Sequence, residues 1–266
     1  MSETATQPVV TTERRGNILL IGLNRPDKRN AFTYEMLESL GRAYGELEAD
    51  DDLWVGLLFA HGEHFTAGLD LADVAGKLGE MGGKLVYPEG VRDPWRNDGT
   101  WTKPIVAATQ GWCITAGIEL LLAADIRIGA ADGRYTQLEV KRGIYPFGGA
   151  TTRFVREAGW GNAMRWILTG DEFDAPEALR IGLIQEIVEP GEQFNRALEI
   201  AENIATKSAP LGVRSTLASA HRAIRQGEEV AAAHLTDDVL GMFQTEDGVE
   251  GMMSFIERRP ANFKGR

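Results

Sequence analysis

Several residue types and patterns are scarce in this chain, and each scarcity excludes something. There is one cysteine, Cys113, in 266 residues. One cysteine cannot close an internal disulfide, so a disulfide-stapled scaffold is excluded and a reducing compartment fits. Cys113 sits between Trp112 and Ile114 and reads as a small buried apolar residue, not a nucleophile. Positive charge is also short: 28 Lys and Arg stand against 39 Asp and Glu, a net charge of −11. That balance works against a nucleic-acid partner, which needs a basic face to displace counterions. A polyanionic ligand would need a local basic patch instead. No apolar run reaches the ~20 residues of a membrane helix, and the polar stretch Met1–Thr12 lacks the apolar segment of a signal peptide. The expected address is the cytoplasm.

Familiar catalytic signatures are missing too. There is no GxxxxGK[ST], no GxGxxG between a strand and a helix, and no GxSxG. A phosphate-cradling loop, a dinucleotide fold and a hydrolase elbow are therefore unsupported. His61, Glu63 and His64 lie close together but lack HExxH spacing and fall among glycines after a strand. They read as a solvated loop, and no metal is expected. His221 and His234 fall in predicted helices and need no special role.

What is present reads as an α/β protein. Hydrophobic residues make up 43% and charged residues 25%, enough for a sizeable core under an ordinary soluble surface. Residues 1–14 read as a loose polar arm. Ile18–Ile21 is a buried-type strand, and Asn24–Asp27 a turn. Met36, Leu37, Leu40, Ala43, Tyr44 and Leu47 recur at helical spacing, and Val55–Ala60 is a second strand. Strand, helix, strand points to an α/β organisation. Ile105–Ala108, Ile126–Ile128 and Ile184–Val188 are further strands. Residues 76–103 carry glycines, charges, Trp95 and Trp101 with little periodicity, and are expected to form a mobile loop near a binding site. Beyond Gly191 three helical stripes follow: Phe194 to Ile204, Leu211 to Arg225, and Val230 to Phe243. The division is an arm at 1–14, a core at 15–190 and a helical region at 191–266.

Two segments share a form. His64–Leu71 and Gly111–Leu120 each follow a buried strand and carry small residues before a helical start. Small side chains let a ligand approach the backbone. Amides at a helix start have no intrahelical acceptor, and two aimed at one point make an oxyanion hole. Tight strand-on-helix packing would use the same pattern. Glu119 lies among Ile118 and Leu120–Leu122, where burial would raise its pKa. Glu139 follows 20 residues later. Two carboxyls with shifted pKa values can divide acid and base duties, although two unrelated surface glutamates would fit this spacing.

Longer motifs carry a family resemblance. Asn24-Arg25-Pro26 with Asn30-Ala31, Phe65 to Leu71, Lys103-Pro104 to Leu120, Leu168-Thr169-Gly170, Ala175, Glu177-Ala178, Gly182-Leu183 and Phe255 to Lys264 resemble the motifs of the crotonase superfamily. Within it the likeness is greatest to enoyl-CoA hydratases, and it spans Asn24 to Lys264. The resemblance implies a ββα spiral core with a helical C-terminal oligomerisation region. It implies Glu119 and Glu139 as the catalytic pair, and the amides of Ala67 and Ala116 as the oxyanion hole. It implies substrate contacts from Leu69, Asp70, Gly117, Phe147 and Phe255. Coenzyme A phosphates would be met by Arg25, Lys28 and Arg29, and by Arg258 from a neighbouring subunit. The implied reaction is reversible addition of water to an enoyl-CoA thioester. The alternatives are a double-bond isomerase and a non-catalytic acyl-CoA binder. No cofactor is implied beyond the coenzyme A of the substrate, and the implied assembly is a homotrimer or homohexamer. Two departures stand out: Thr115-Ala116-Gly117 replaces a glycine-rich triplet, and Phe147 stands where a glycine is frequent, which bears on the acyl pocket.

Overall fold

The computed structural model describes residues 7–80, 87–99 and 101–266. In chain order the elements are β1 (Val10–Arg15), β2 (Ile18–Leu23), α1 (Tyr34–Ala49), β3 (Val55–Ala60), α2 (Leu71–Glu80), β4 (Ile105–Thr109), β5 (Trp112–Ile114), α3 (Ala116–Ala123), β6 (Ile126–Ala130), β7 (Arg134–Thr136), α4 (Ala150–Ala158), α5 (Trp160–Thr169), β8 (Glu172–Asp174), α6 (Ala175–Arg180), β9 (Glu186–Val188), α7 (Gln193–Lys207), α8 (Pro210–Gln226), α9 (Glu228–Met242) and α10 (Glu246–Glu257). The six-stranded main sheet runs β1-β2-β3-β4-β6-β9. Only the β1–β2 pair in it is antiparallel. A three-stranded sheet, β5-β7-β8, stands apart.

The parallel strands are apolar without alternation because both faces are covered. Side chains still alternate between faces. Leu19, Ile21, Leu58, Ile105 and Ala107 join the core under α1, with Leu37, Leu40, Tyr44 and Leu47. Ile18, Leu20, Val55, Leu57, Val106 and Ala108 join the opposite core under α7. Register aligns Leu20, Leu57 and Val106 in one row. Helix α7 meets that row with Ala197, Ala201 and Ala205, a four-residue repeat on one face. The expected stripe residues Phe194, Leu198 and Ile204 flank it and are only partly buried.

Three sequence expectations change here. Val10–Arg15 forms an edge strand paired with β2, so the arm does not extend to residue 14; residues 1–6 lie outside the described part. The polar face of β1 had hidden it. The boundary at 190 does not mark a change in packing, because α7 covers the main sheet; the loosely packed helices begin at α8, where Pro210 alone is buried. The segment 76–103 is not a loose loop where it is described. Residues 71–80 are helical, and Trp95 and Trp101 are each only 3% exposed. Trp101 packs edge-on against Tyr44, and the Arg92 and Arg96 guanidinia lie over its ring. Buried Arg96 pairs with Asp125 at 2.9 Å and donates to the Ala123 carbonyl. Residues 81–86 and 100 lie outside the described part.

Candidate active site

The first loop is built around Asn30, which is fully buried. Its amide donates to the His61 and His64 carbonyls at 2.9 and 2.8 Å, and its oxygen accepts from Arg25 N–H. Thr66 Oγ1 donates to the Asn30 carbonyl at 2.6 Å and accepts from Gly68 N–H. The loop then lies against β5. Thr66 N–H donates to the Trp112 carbonyl, and Ile114 N–H donates to the Thr66 carbonyl. Gly68 has φ 85, and a Cβ there would fall 2.1 Å from Thr115 Oγ1. Only glycine permits that conformation and that approach.

The amide expected to be free in this loop is not the one that lacks an acceptor. Ala67 N–H donates to the Arg29 carbonyl at 2.9 Å and is therefore occupied. Two residues on, Asp70 N–H donates to the Phe32 carbonyl. Between them Leu69 N–H has no acceptor among the described residues, and Leu69 lines the cavity. Ala67 lines the cavity as well, but not with a free amide.

The second amide comes from α3. Thr115 N–H donates to the Thr136 carbonyl at 2.8 Å. Thr115 itself takes φ 51, ψ −116, a conformation ordinarily left to glycine. The next residue, Ala116, opens the helix, so its N–H lacks an intrahelical acceptor. Ala116 also lines the cavity. Trp95 Nε1 donates to the Ala116 carbonyl at 3.1 Å and steadies this turn. Trp95 lies in an unpatterned stretch, and nothing local in the sequence marks it. Gly117 does not line the cavity; a Cβ there would meet Thr66 Cγ2 at 2.3 Å, so its role is close packing.

Glu119 stands one turn into α3 and is 1% exposed. Its Oε1 accepts from Ala150 N–H, at the start of α4, at 3.1 Å. A Cβ on Gly148 would sit 2.7 Å from Oε2. The glycine that admits this carboxylate is therefore Gly148, one residue beyond Phe147. Burial pushes the Glu119 pKa up to about 7, and the Glu139 charge adds to that against the pull of nearby amides. Glu139 opens a short 3₁₀ turn, Glu139–Arg142, and is 6% exposed. Burial pushes its pKa up to about 7 as well, opposed by backbone and Gln137 hydrogen bonds. Gln137 Nε2 donates to its Oε1 at 3.0 Å; its Oε2 has no partner among the described residues.

Both carboxyl residues line one cavity of ≈180 Å³, together with Leu69, Ala116, Leu138, Ile144 and Phe147. Phe147 is 44% exposed and leans edge-on towards Trp95, with ring centroids 6.2 Å apart. The remaining expected contacts do not line it. Arg25 and Asp70 are paired to each other at 2.9 Å, and Arg25 also donates to the Ala31 carbonyl, so both shape the first loop. Lys28 and Arg29 are exposed beside that loop. Phe255, 85% exposed, and Arg258 lie at the end of α10. Among the described residues no group of His, Cys, Asp or Glu is placed to hold a metal ion. His61 shares a 2.9 Å hydrogen bond with Thr11, and burial pushes the Cys113 thiol far up.

Known proteins resemble this chain over nearly its full length. Residues 13–266 match the family model described as enoyl-CoA hydratase/isomerase. The enoyl-CoA hydratase EchA19 of Mycobacterium tuberculosis is 32% identical over 272 residues, covering 100% of both chains. The short-chain-enoyl-CoA hydratase of Clostridium acetobutylicum is 33% identical, over 97% of this chain and 98% of the other. A solved structure of a probable enoyl-CoA hydratase/isomerase from Mycobacterium abscessus superposes with a TM-score of 0.93 at 51% identity, over 97% and 99% of the two chains. With its ββα core, its paired loops and a family match over nearly its full length, the chain belongs to the enoyl-CoA hydratase/isomerase family of the crotonase superfamily.

Proposed function

We propose that this protein is an enoyl-CoA hydratase, adding water reversibly across the α,β double bond of an enoyl-CoA thioester to give a 3-hydroxyacyl-CoA. The observation that carries the reading is the joint occurrence, on one cavity, of two buried carboxyls and two backbone amides without acceptors. As water adds, negative charge grows on the thioester oxygen. The Leu69 and Ala116 amides would receive it, and each such donor is worth roughly 3 kcal/mol in comparable sites. Glu119 and Glu139 would activate the water and exchange the proton at Cα. Groups with pKa values near 7 suit both directions of that transfer. Two carboxyls on the cavity favour hydration over a double-bond shift, which can run on one. No cofactor is invoked beyond the coenzyme A of the substrate.

Lys28 and Arg29, exposed beside the first loop, are the candidates for the coenzyme A phosphates. Arg25 would act indirectly, because its guanidinium is tied to Asp70. Phe255 and Arg258 would reach substrate only across a subunit boundary. Leu235 and Leu240 of α9, Phe243 just beyond it, and Phe255 and Ile256 of α10 are exposed, which supports burial of these helices in a trimer or hexamer. A cytoplasmic setting suits the single buried cysteine. The deciding experiment is hydration of crotonyl-CoA by the Glu119→Gln and Glu139→Gln variants. Near-wild-type rates in both would overturn the proposal.

A further inference from the structure

Arg142 ends the 3₁₀ turn that Glu139 begins. Side chains at i and i+3 eclipse in such a turn, so Glu139 and Arg142 stand on one face, about 6 Å apart along the axis. Both line the cavity. Gly143, at φ 77, then ends the turn, and Ile144 and Phe147 line the same cavity beyond it. Arg142 is itself exposed, at the solvent side of a cavity to which Leu138, Ile144 and Phe147 also contribute.

Neighbouring cations are already engaged. Lys141 pairs with Asp171 at 3.3 Å, Arg165 with the same carboxylate at 2.9 Å, and Arg134 with Glu172. The Arg142 side chain has no ion pair or hydrogen bond among the described residues. Nor does it hold Glu139 ionised: the groups that oppose burial there are the turn's backbone and Gln137. Its guanidinium thus serves neither the fold nor the acid/base pair.

A guanidinium fork matches the two oxygens of a carboxylate and can pair with both at once. At ~30 Å³ per water-sized group, the ≈180 Å³ cavity has room for a short acyl chain. We propose that Arg142 makes this site selective for short enoyl-CoA thioesters whose acyl chain ends in a carboxylate, by pairing with that carboxylate. The phosphates of coenzyme A are the other anions in such a substrate. They fall to Lys28 and Arg29, which flank the first-loop wall, whereas Arg142 comes from the wall of the Glu139 turn.

The proposal rests on the enoyl-CoA reading of the cavity, but binding alone tests it. Saturated thioesters matched in carbon number are titrated by calorimetry: pentanoyl-CoA against glutaryl-CoA, and hexanoyl-CoA against adipyl-CoA. The expected result is roughly tenfold tighter binding of the carboxylated member of at least one pair. Arg142→Met should bring that ratio to about one, and Arg142→Lys should restore part of it. A wild-type ratio near one in both pairs overturns the proposal. So does a ratio that survives Arg142→Met, including the case in which the variant weakens both members alike; Arg142 would then serve the phosphates. No water is added to these ligands, so a failed hydration assay and a failed carboxylate preference are separate results.

Discussion

Replacing Glu119 by glutamine should make the protein more stable and nearly inactive, with the stability gain set by pH. The folded carboxyl titrates at about 7 against an ordinary 4.5, and burial is the main cause. Between those two values the unfolded chain releases this proton while the folded chain still holds it. Stability therefore falls as pH rises through that window, at up to 1.36 kcal/mol per pH unit for this group, or roughly 3 kcal/mol in all. Below pH 4.5 both states hold the proton, and above 7 the loss is complete. Glutamine has no such titration and can still accept from Ala150 N–H. Its NH₂ group needs an acceptor, which returns about 1 kcal/mol of the gain. The expected net change is a gain of about 2 kcal/mol at pH 8, or roughly 4–6 °C in Tm, and a loss of about 1 kcal/mol at pH 4.5, where only the cost of the NH₂ group remains. Urea unfolding of both proteins at the two pH values measures this directly. Loss of an acid/base group should lower kcat roughly 10²–10⁴-fold in the same variant. A stability difference that is the same at both pH values would refute the argument that burial holds this carboxyl protonated.

Four further predictions follow from the same geometry. Gly148→Ala places a Cβ 2.7 Å from Glu119 Oε2 and 2.9 Å from Trp95 Cδ1; it should cost about 1–3 kcal/mol and lower kcat/KM for crotonyl-CoA roughly 10²-fold. Thr115→Gly releases the φ 51, ψ −116 conformation and should raise the urea midpoint by an amount worth about 1 kcal/mol; a loss of stability would count against strain there. An amide-to-ester exchange at Leu69, made by semisynthesis, should lower kcat roughly 10²–10³-fold, while the same exchange at Ala67, whose N–H is spent on Arg29, should act on stability alone. Arg96→Met leaves Asp125 without its guanidinium partner and should cost about 3–5 kcal/mol in chemical denaturation.

The parts of the fold legible in the sequence are those whose burial is uniform. Ile18 to Ile21, Val55 to Ala60 and Ile105 to Ala108 read as strands because a parallel strand covered on both faces is apolar throughout. Helix α1 reads from its stripe because one face meets the sheet and the other meets water. Strand β1 does not read, because its residues beyond Val10 are at most half-buried and polar. Strands β5, β7 and β8 have three residues each, too few for a period to show. Trp95 and Trp101 lie in a stretch without pattern, since the partners that bury them come from remote parts of the chain.

The sequence by itself determined the layered α/β plan, the two small-residue loops and the two glutamates, because periodicity, glycine and an acidic residue in an apolar run are local properties. Only the tertiary structure decided which amides are free. Ala67 and Leu69 are two residues apart in one loop, yet a carbonyl from Arg29 occupies the first N–H and no acceptor reaches the second. Likewise it is Gly148, not the position before it, that makes room for Glu119, and a turn far along the chain brings Arg142 to the same cavity. Whether a polar group is spent or available depends on what the rest of the chain places beside it, and that is fixed only when distant segments pack together.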